Sequence, residues 1–96
     1  MSQSYEWIEL SEAEIRKVCR KTKGVAVIPL ASIESHGPHL PLGSDIFSIL
    51  NVVESAVRRE PAAVLPVLPY SYVLEASRRP GAIHIDSELL MNFVED

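Results

Sequence analysis

Residues 25–45 read VAVIPLASIESHGPHLPLGSD, and the fold turns on how this stretch is read. It opens on an apolar run, residues 25–30, rich in β-branched side chains and without polar alternation. Such a run suits a strand buried on both faces, as in a parallel sheet covered by helices. Residues 31–44 follow, where Gly37, Pro38, Pro41 and Gly43 interrupt any regular element. The stretch therefore reads as a strand, a structured loop leaving its carboxyl end, and a helix opened by Ser44 or Asp45.

Upstream, Ser11 and Glu14 have the spacing of a capping box, which starts a first helix over residues 12–22. Ile15, Val18 and Cys19 form its apolar stripe, Glu12, Arg16, Arg20 and Lys21 face solvent, and Gly24 stops it. Cys19 is expected in the core, as a small hydrophobe. Downstream of the loop, Phe47, Leu50, Val52 or Val53, and Val57 recur at helical spacing up to Arg58, Arg59, Glu60 and Pro61. A second strand over residues 64–68 is edge-like or interrupted at Pro66, which has no amide to donate. Residues 70–79 read as loop, residues 82–85 as a third strand, and Asp86 or Ser87 as the cap of a last helix from Glu88.

Helices alternating with strands make an α/β plan with a mostly parallel sheet. Three strands are few for such a plan. The single domain expected over residues 1–96 thus reads as truncated, needing oligomerisation or a C-terminal part to complete it.

Composition narrows the function classes. With 47% hydrophobic and 23% charged residues the chain is too apolar for a disordered tail. Nine Lys plus Arg against thirteen Asp plus Glu leave net charge -4, so no broad positive field invites nucleic acid. No apolar run is long enough for a membrane span and the N-terminus lacks a secretory pattern. One cysteine permits no intrachain disulfide. A cytoplasmic chain is expected.

The chemistry concentrates in residues 33–45. In extended chain, Glu34 and His36 point the same way because side chains alternate. Gly37 and Pro38 turn the backbone, and Asp45 at a helix start returns a carboxylate toward the same point. Mixed carboxylate and imidazole donors suit Zn(II), Mn(II) or Fe(II). The same residues have plainer uses: Asp45 as a helix N-cap, His36 and His39 bonded within a tight loop, Glu34 solvated. Position favours the ligand reading, since α/β domains place ligands beyond the carboxyl ends of parallel strands. His84, in a short apolar run, reads as a packing or hydrogen-bonding residue. Tyr5, Trp7, Tyr70 and Tyr72 read as packing residues, with a pocket or interface as the alternative. Arg78 and Arg79 read as a solvated face.

Residues 29–45 resemble the first metal-binding segment of the creatininase (creatinine amidohydrolase) family. There a strand ending Pro-Leu-Gly-Ser leads to Glu-Gln-His-Gly-Pro-His-Leu-Pro-Leu and then Thr-Asp, with Ala31 and Ser35 the departures here. Residues 70–85 resemble a weakened form of the family's later loop and strand, keeping Pro80, Gly81 and Ile83; Glu75 aligns, and Ala76 stands where that loop has histidine. The resemblance implies a layered α/β/α fold, assembly into homo-oligomers, and a dinuclear site for a divalent metal, Zn or Mn, with Fe as a further option. Glu34 and His36 would each hold one ion, Asp45 would bridge them, and His39 would be a substrate or pocket residue. It also implies a further His and Glu ligand from a later segment with no counterpart in these residues. The implied activity is hydrolysis of a non-peptide carbon-nitrogen bond in a cyclic amide or formamide, with a small-molecule amide as substrate. No lysine or second histidine cluster supplies a proton donor. Two other readings stay open: a catalytically inactive homologue that binds metal, and a structural or assembly protein.

Overall fold

The computed structural model describes residues 4–96. Helix α1 spans Glu12–Lys21, strand β1 Ala26–Val27, helix α2 Ser44–Arg59, strand β2 Ala63–Val64 and helix α3 Ser87–Glu95. The architecture is α/β, with β1 and β2 paired in parallel, Ala26 opposite Ala63 and Val27 opposite Val64. The chain divides into two compact units, one gathering the residues up to Pro29 with Leu50–Val67, the other Leu30–Ile49 with Leu68–Asp96.

In the first unit, α1 begins where its capping box dictates. The Ser11 side chain accepts the Glu14 amide at 3.2 Å and Glu14 accepts the Ser11 amide at 3.1 Å. Such caps each contribute about 1 kcal/mol by satisfying amides that have no partner within the helix. Lys23 and Gly24 then take positive φ, and the Gly24 amide returns to the Cys19 carbonyl. Glycine suits that left-handed step because it has no Cβ to clash.

The helix buries Val18 and Thr22 and exposes Cys19, which corrects the expectation of a core cysteine. Helical phase explains it: Ile15, Val18 and Thr22 share a face at intervals of three and four, and Cys19 is rotated off it. Thr22 is tolerated there because its hydroxyl donates to the Val18 carbonyl at 2.8 Å. From α2 the same core takes Val53 and Val57, so Val53 rather than Val52 faces inward. Ala62, Ala63 and Val64 complete it.

The sheet is shorter and more open than the sequence predicts. Val25, Ile28 and Leu30 are 53%, 54% and 52% exposed, so residues 25–30 are not buried on both faces. Among the described residues the β1 ladder pairs with β2 alone, and the exposure of these side chains shows that no helix covers that face of the run. The β2 ladder stops before Pro66, as a missing amide requires. On its other side β2 receives an unforeseen neighbour: the Val64 amide donates to the Tyr5 carbonyl at 2.8 Å, beside a short 3-10 turn over Trp7–Glu9. Trp7 is largely exposed.

In the second unit, residues 82–85 do not form a ladder strand, contrary to expectation. Ile83 and His84 make isolated bridges instead, Ile83 antiparallel to Ile33 and His84 parallel to Ser71. Each pairing is limited to a single residue, so no ladder propagates along residues 82–85. A further parallel bridge joins Leu30 to Leu68. The expected loop at residues 70–79 contains a 3-10 turn, Leu74–Ala76. Asp86 caps α3 by accepting the Glu88 amide at 3.2 Å.

Glu6 lies beside Glu9 and Glu54, and its carboxyl is held above the ordinary value of 4.5 by partial desolvation first, then by repulsion from Glu9 and Glu54. A raised folded-state value means the folded chain binds the proton more tightly than the unfolded one. The Glu6 contribution to stability is therefore fully present below pH 4.5 and is lost as pH rises through the raised value. In urea titrations E6Q is expected to unfold at higher denaturant than the wild type near neutral pH, the two converging below pH 4.5; parallel curves at all pH values would contradict this.

Candidate metal centre

The second unit brings together three side chains that the sequence placed in one loop. Residues 30–36 run without helix, and the Ile83 amide anchors them by donating to the Ile33 carbonyl at 3.0 Å. Glu34 donates its own amide to the Leu42 carbonyl at 3.2 Å, which folds residues 34–42 back on themselves. Gly37 makes the reversal with φ 93°, a backbone state that side chains disfavour. Ser44 then gives both its amide, at 3.1 Å, and its hydroxyl, at 2.7 Å, to the Pro41 carbonyl, and α2 begins.

Asp45 falls inside the first turn of α2, not at its N-cap, which removes the capping role as its explanation. One ligand atom from each of Glu34, His36 and Asp45 lies within 4.8 Å of the others. His36 Nε2 is 3.2 Å from Asp45 Oδ2, yet without hydrogen-bond geometry, and the nitrogen is sealed from solvent with no other partner. A buried ring nitrogen of this kind is an orphan that a cation would satisfy. No lysine or arginine pairs with either carboxylate among the described residues. The positive end of the α2 dipole is a compensating field beside Asp45. Two carboxylate oxygens and one imidazole nitrogen make a fitting donor set for a first-row dication.

Ser32 is the residue that sequence reasoning missed. Its hydroxyl donates to Asp45 Oδ2 at 3.1 Å and stands 3.4 Å from Glu34 Oε1, tying both carboxylates together. The signal was present, since Ser32, Glu34 and His36 follow the period-two alternation of extended chain. A hydroxyl that orients ligating carboxylates tunes a metal site from outside its ligand set.

Of the other residues singled out, His39 is exposed and folds its imidazole against Gly37. Tyr72 is half exposed, and Arg78 and Arg79 face solvent. A cavity of about 350 Å³ opens beside Glu34, with Ser32 and Glu34 on one side and Ser71, Tyr72 and Glu75 on the other.

Gly81 fits this loop closely. It has φ 83°, and a Cβ there would collide with the side chain of Leu42, the residue whose carbonyl receives the Glu34 amide. G81A is expected to cost about 1–2 kcal/mol from the left-handed backbone alone, and more from the displaced Leu42. Amide hydrogen exchange at Glu34 should accelerate in the variant; unchanged stability and unchanged exchange would contradict the packing described.

The chain is 34% identical over 74 residues to the mycofactocin precursor peptide peptidase of Mycobacterium tuberculosis (strain CDC 1551 / Oshkosh), a match covering 67% of this chain and 30% of that protein. The protein of the same description from strain ATCC 25618 / H37Rv matches to the same extent, so the chain spans under a third of these relatives' length. No solved structure matches. Residues 8–96 match the creatininase model, described as creatinine amidohydrolase, and with nearly all its described length accounted for, the chain belongs to the creatininase family.

Proposed function

We propose that this chain carries the metal-binding segment of a creatininase-type, metal-dependent hydrolase acting on a non-peptide carbon-nitrogen bond, in a cyclic amide or a formamide. The observation that carries the reading is the convergence of Glu34, His36 and Asp45 around a buried, unpartnered imidazole nitrogen. These three side chains would hold a divalent cation, Zn or Mn, with Fe as a further option, and a second ion if more donors join them. Such a cation, when bound, lowers the pKa of a water and polarises a carbonyl. The protein's own part is to align Glu34 and Asp45 through Ser32, and to hold His36 with Nε2 free to ligate. The cavity beside Glu34 offers a place for the amide, with Glu75 and Tyr72 as polar groups on its far wall. His39, exposed on the same loop, is the remaining pocket residue of this reading.

The remaining donors and the proton donor for the leaving nitrogen would come from outside these residues, from further chain or from another copy. Homo-oligomeric assembly fits the exposure of Ile28, Leu30, Leu89 and Phe93, apolar side chains that association would cover. No helix among the described residues is long and apolar enough to cross a membrane. A cytoplasmic location, suggested by the single cysteine, is part of the proposal. A second substrate class, a short peptide, is favoured by the relatives described as peptidases of a precursor peptide. A metal-binding homologue without turnover is the alternative within the same site.

Native mass spectrometry after equilibration with Zn(II) or Mn(II) tests the site, beside the isosteric variant E34Q with D45N. One or two ions per chain are expected in the wild type and none in the variant. The wild type should also gain stability with metal, by about 2.7 kcal/mol at a hundredfold excess over Kd. Equal metal content in both proteins would overturn the assignment. Release of amine from formamide, cyclic-amide and short-peptide panels by the loaded protein separates a hydrolase from a metal-binding homologue and the substrate classes from one another.

A further inference from the structure

We propose that His84 is a positioning residue of this site, fixing the far wall of the cavity against Glu34 through its ring nitrogen Nδ1. The inference rests on the reading above in one respect, that the cavity beside Glu34 receives the substrate. Its structural basis is independent of any metal.

The cavity has two walls, and His84 lies on the chain that joins them. On one side the Ile83 amide donates to the Ile33 carbonyl at 3.0 Å, next to Glu34. On the other the Ile85 amide donates to the Ser71 carbonyl at 3.0 Å, and His84 bridges Ser71 in parallel. Backbone pairing ends there. Beyond Ser71 the chain leaves the bridge and enters the 3-10 turn Leu74–Ala76, with Val73 as its cap at φ -132°, ψ 42°. The backbone of residues 83–85 offers Val73 no carbonyl in the observed contacts. The His84 side chain takes over: Nδ1 accepts the Val73 amide at 3.0 Å.

Val73 is buried, so losing that acceptor would leave a backbone donor unsatisfied away from water. The ring is held in turn by Tyr72, edge-on with centroids 5.0 Å apart and planes at 65°. One imidazole therefore sets the course of the chain through Tyr72 and Val73 and on to Glu75, residues that line the cavity together with Glu34. It acts through them and touches neither Glu34 nor Asp45 in the observed contacts. The role demands one tautomer. Nδ1 accepts only when its lone pair is free, so the neutral ring must carry its proton on Nε2.

The test is made on ¹⁵N-labelled full chain. Long-range nitrogen–proton correlations of the His84 ring should report the Nε2–H tautomer, and the Val73 amide should be protected from exchange. H84L removes the acceptor, and Val73 protection should fall roughly tenfold, as loss of one net hydrogen bond implies. H84N restores an acceptor oxygen near the Nδ1 position and should return protection to within about twofold of wild type, a rescue that mere packing would not give. The Ala63 and Leu65 amides, bonded to the Val25 and Val27 carbonyls, serve as folding controls in every variant. An Nδ1–H tautomer in the wild type overturns the proposal even where H84L fails to fold. So does unchanged Val73 protection in folded H84L, or equal loss in H84L and H84N. Absence of bound metal with the expected tautomer and rescue would count against the metal reading and leave this assignment standing.

Discussion

The hydrogen bond from the Glu34 amide to the Leu42 carbonyl is the contact on which the candidate site depends. It converts thirty-odd ångströms of possible extended chain into a closed loop whose ends lie side by side. Everything that follows uses that closure: Pro41 accepts from Ser44, α2 starts, and Asp45 comes back to stand 3.2 Å from the imidazole of His36. Closing a loop of this length costs a few kcal/mol of chain entropy, about (3/2)RT ln n plus a constant. Pro38 and Pro41 lessen that cost by restricting the unfolded chain, and Gly37 permits the one positive-φ step the reversal needs. Gly81 keeps the space against Leu42 that a side chain would fill.

Much of this was legible because it is local. The capping boxes and caps at Ser11 and Asp86, the start of α2 at Ser44 and the break at Pro66 are decided by neighbours in sequence. The convergence of Glu34, His36 and Asp45 followed from alternation along extended chain plus a turn and a helix start. What escaped depended on distant partners. The apolar run at residues 25–30 carries no information about what covers it, so its exposure could not be read from its hydropathy. Cys19 was assigned to the core because its spacing from Ile15 fits an apolar stripe, whereas the packed helix buries Val18 and Thr22 and leaves Cys19 outside. Ser32 was overlooked since serine before a carboxylate has many uses, and its role appears only when Asp45 is beside it.

The two units bury their apolar surface unequally. The first has Val18, Val53, Val57, Ala62, Ala63 and Val64 in its core, whereas Val73 is the fully apolar side chain buried in the second among the described residues. The unit that holds the site thus relies on polar contacts, several of which converge on two like-charged carboxylates. Like charges held this close repel, and a dication shared by Glu34, His36 and Asp45 would replace that repulsion with attraction and join the extended segment to α2. Metal affinity and local stability would then be one quantity, as in other small metal-binding units. The three clustered side chains lie within the stretch that carries the family match, residues 8–96.

The most direct test of this account is anomalous diffraction from crystals grown or soaked with Zn(II), measured on both sides of the zinc absorption edge. A peak present only above the edge is expected among the three side chains, about 2.0–2.2 Å from an imidazole nitrogen of His36 and carboxylate oxygens of Glu34 and Asp45. Zinc bound elsewhere, or no zinc peak where Glu34, His36 and Asp45 stand as described, would contradict it.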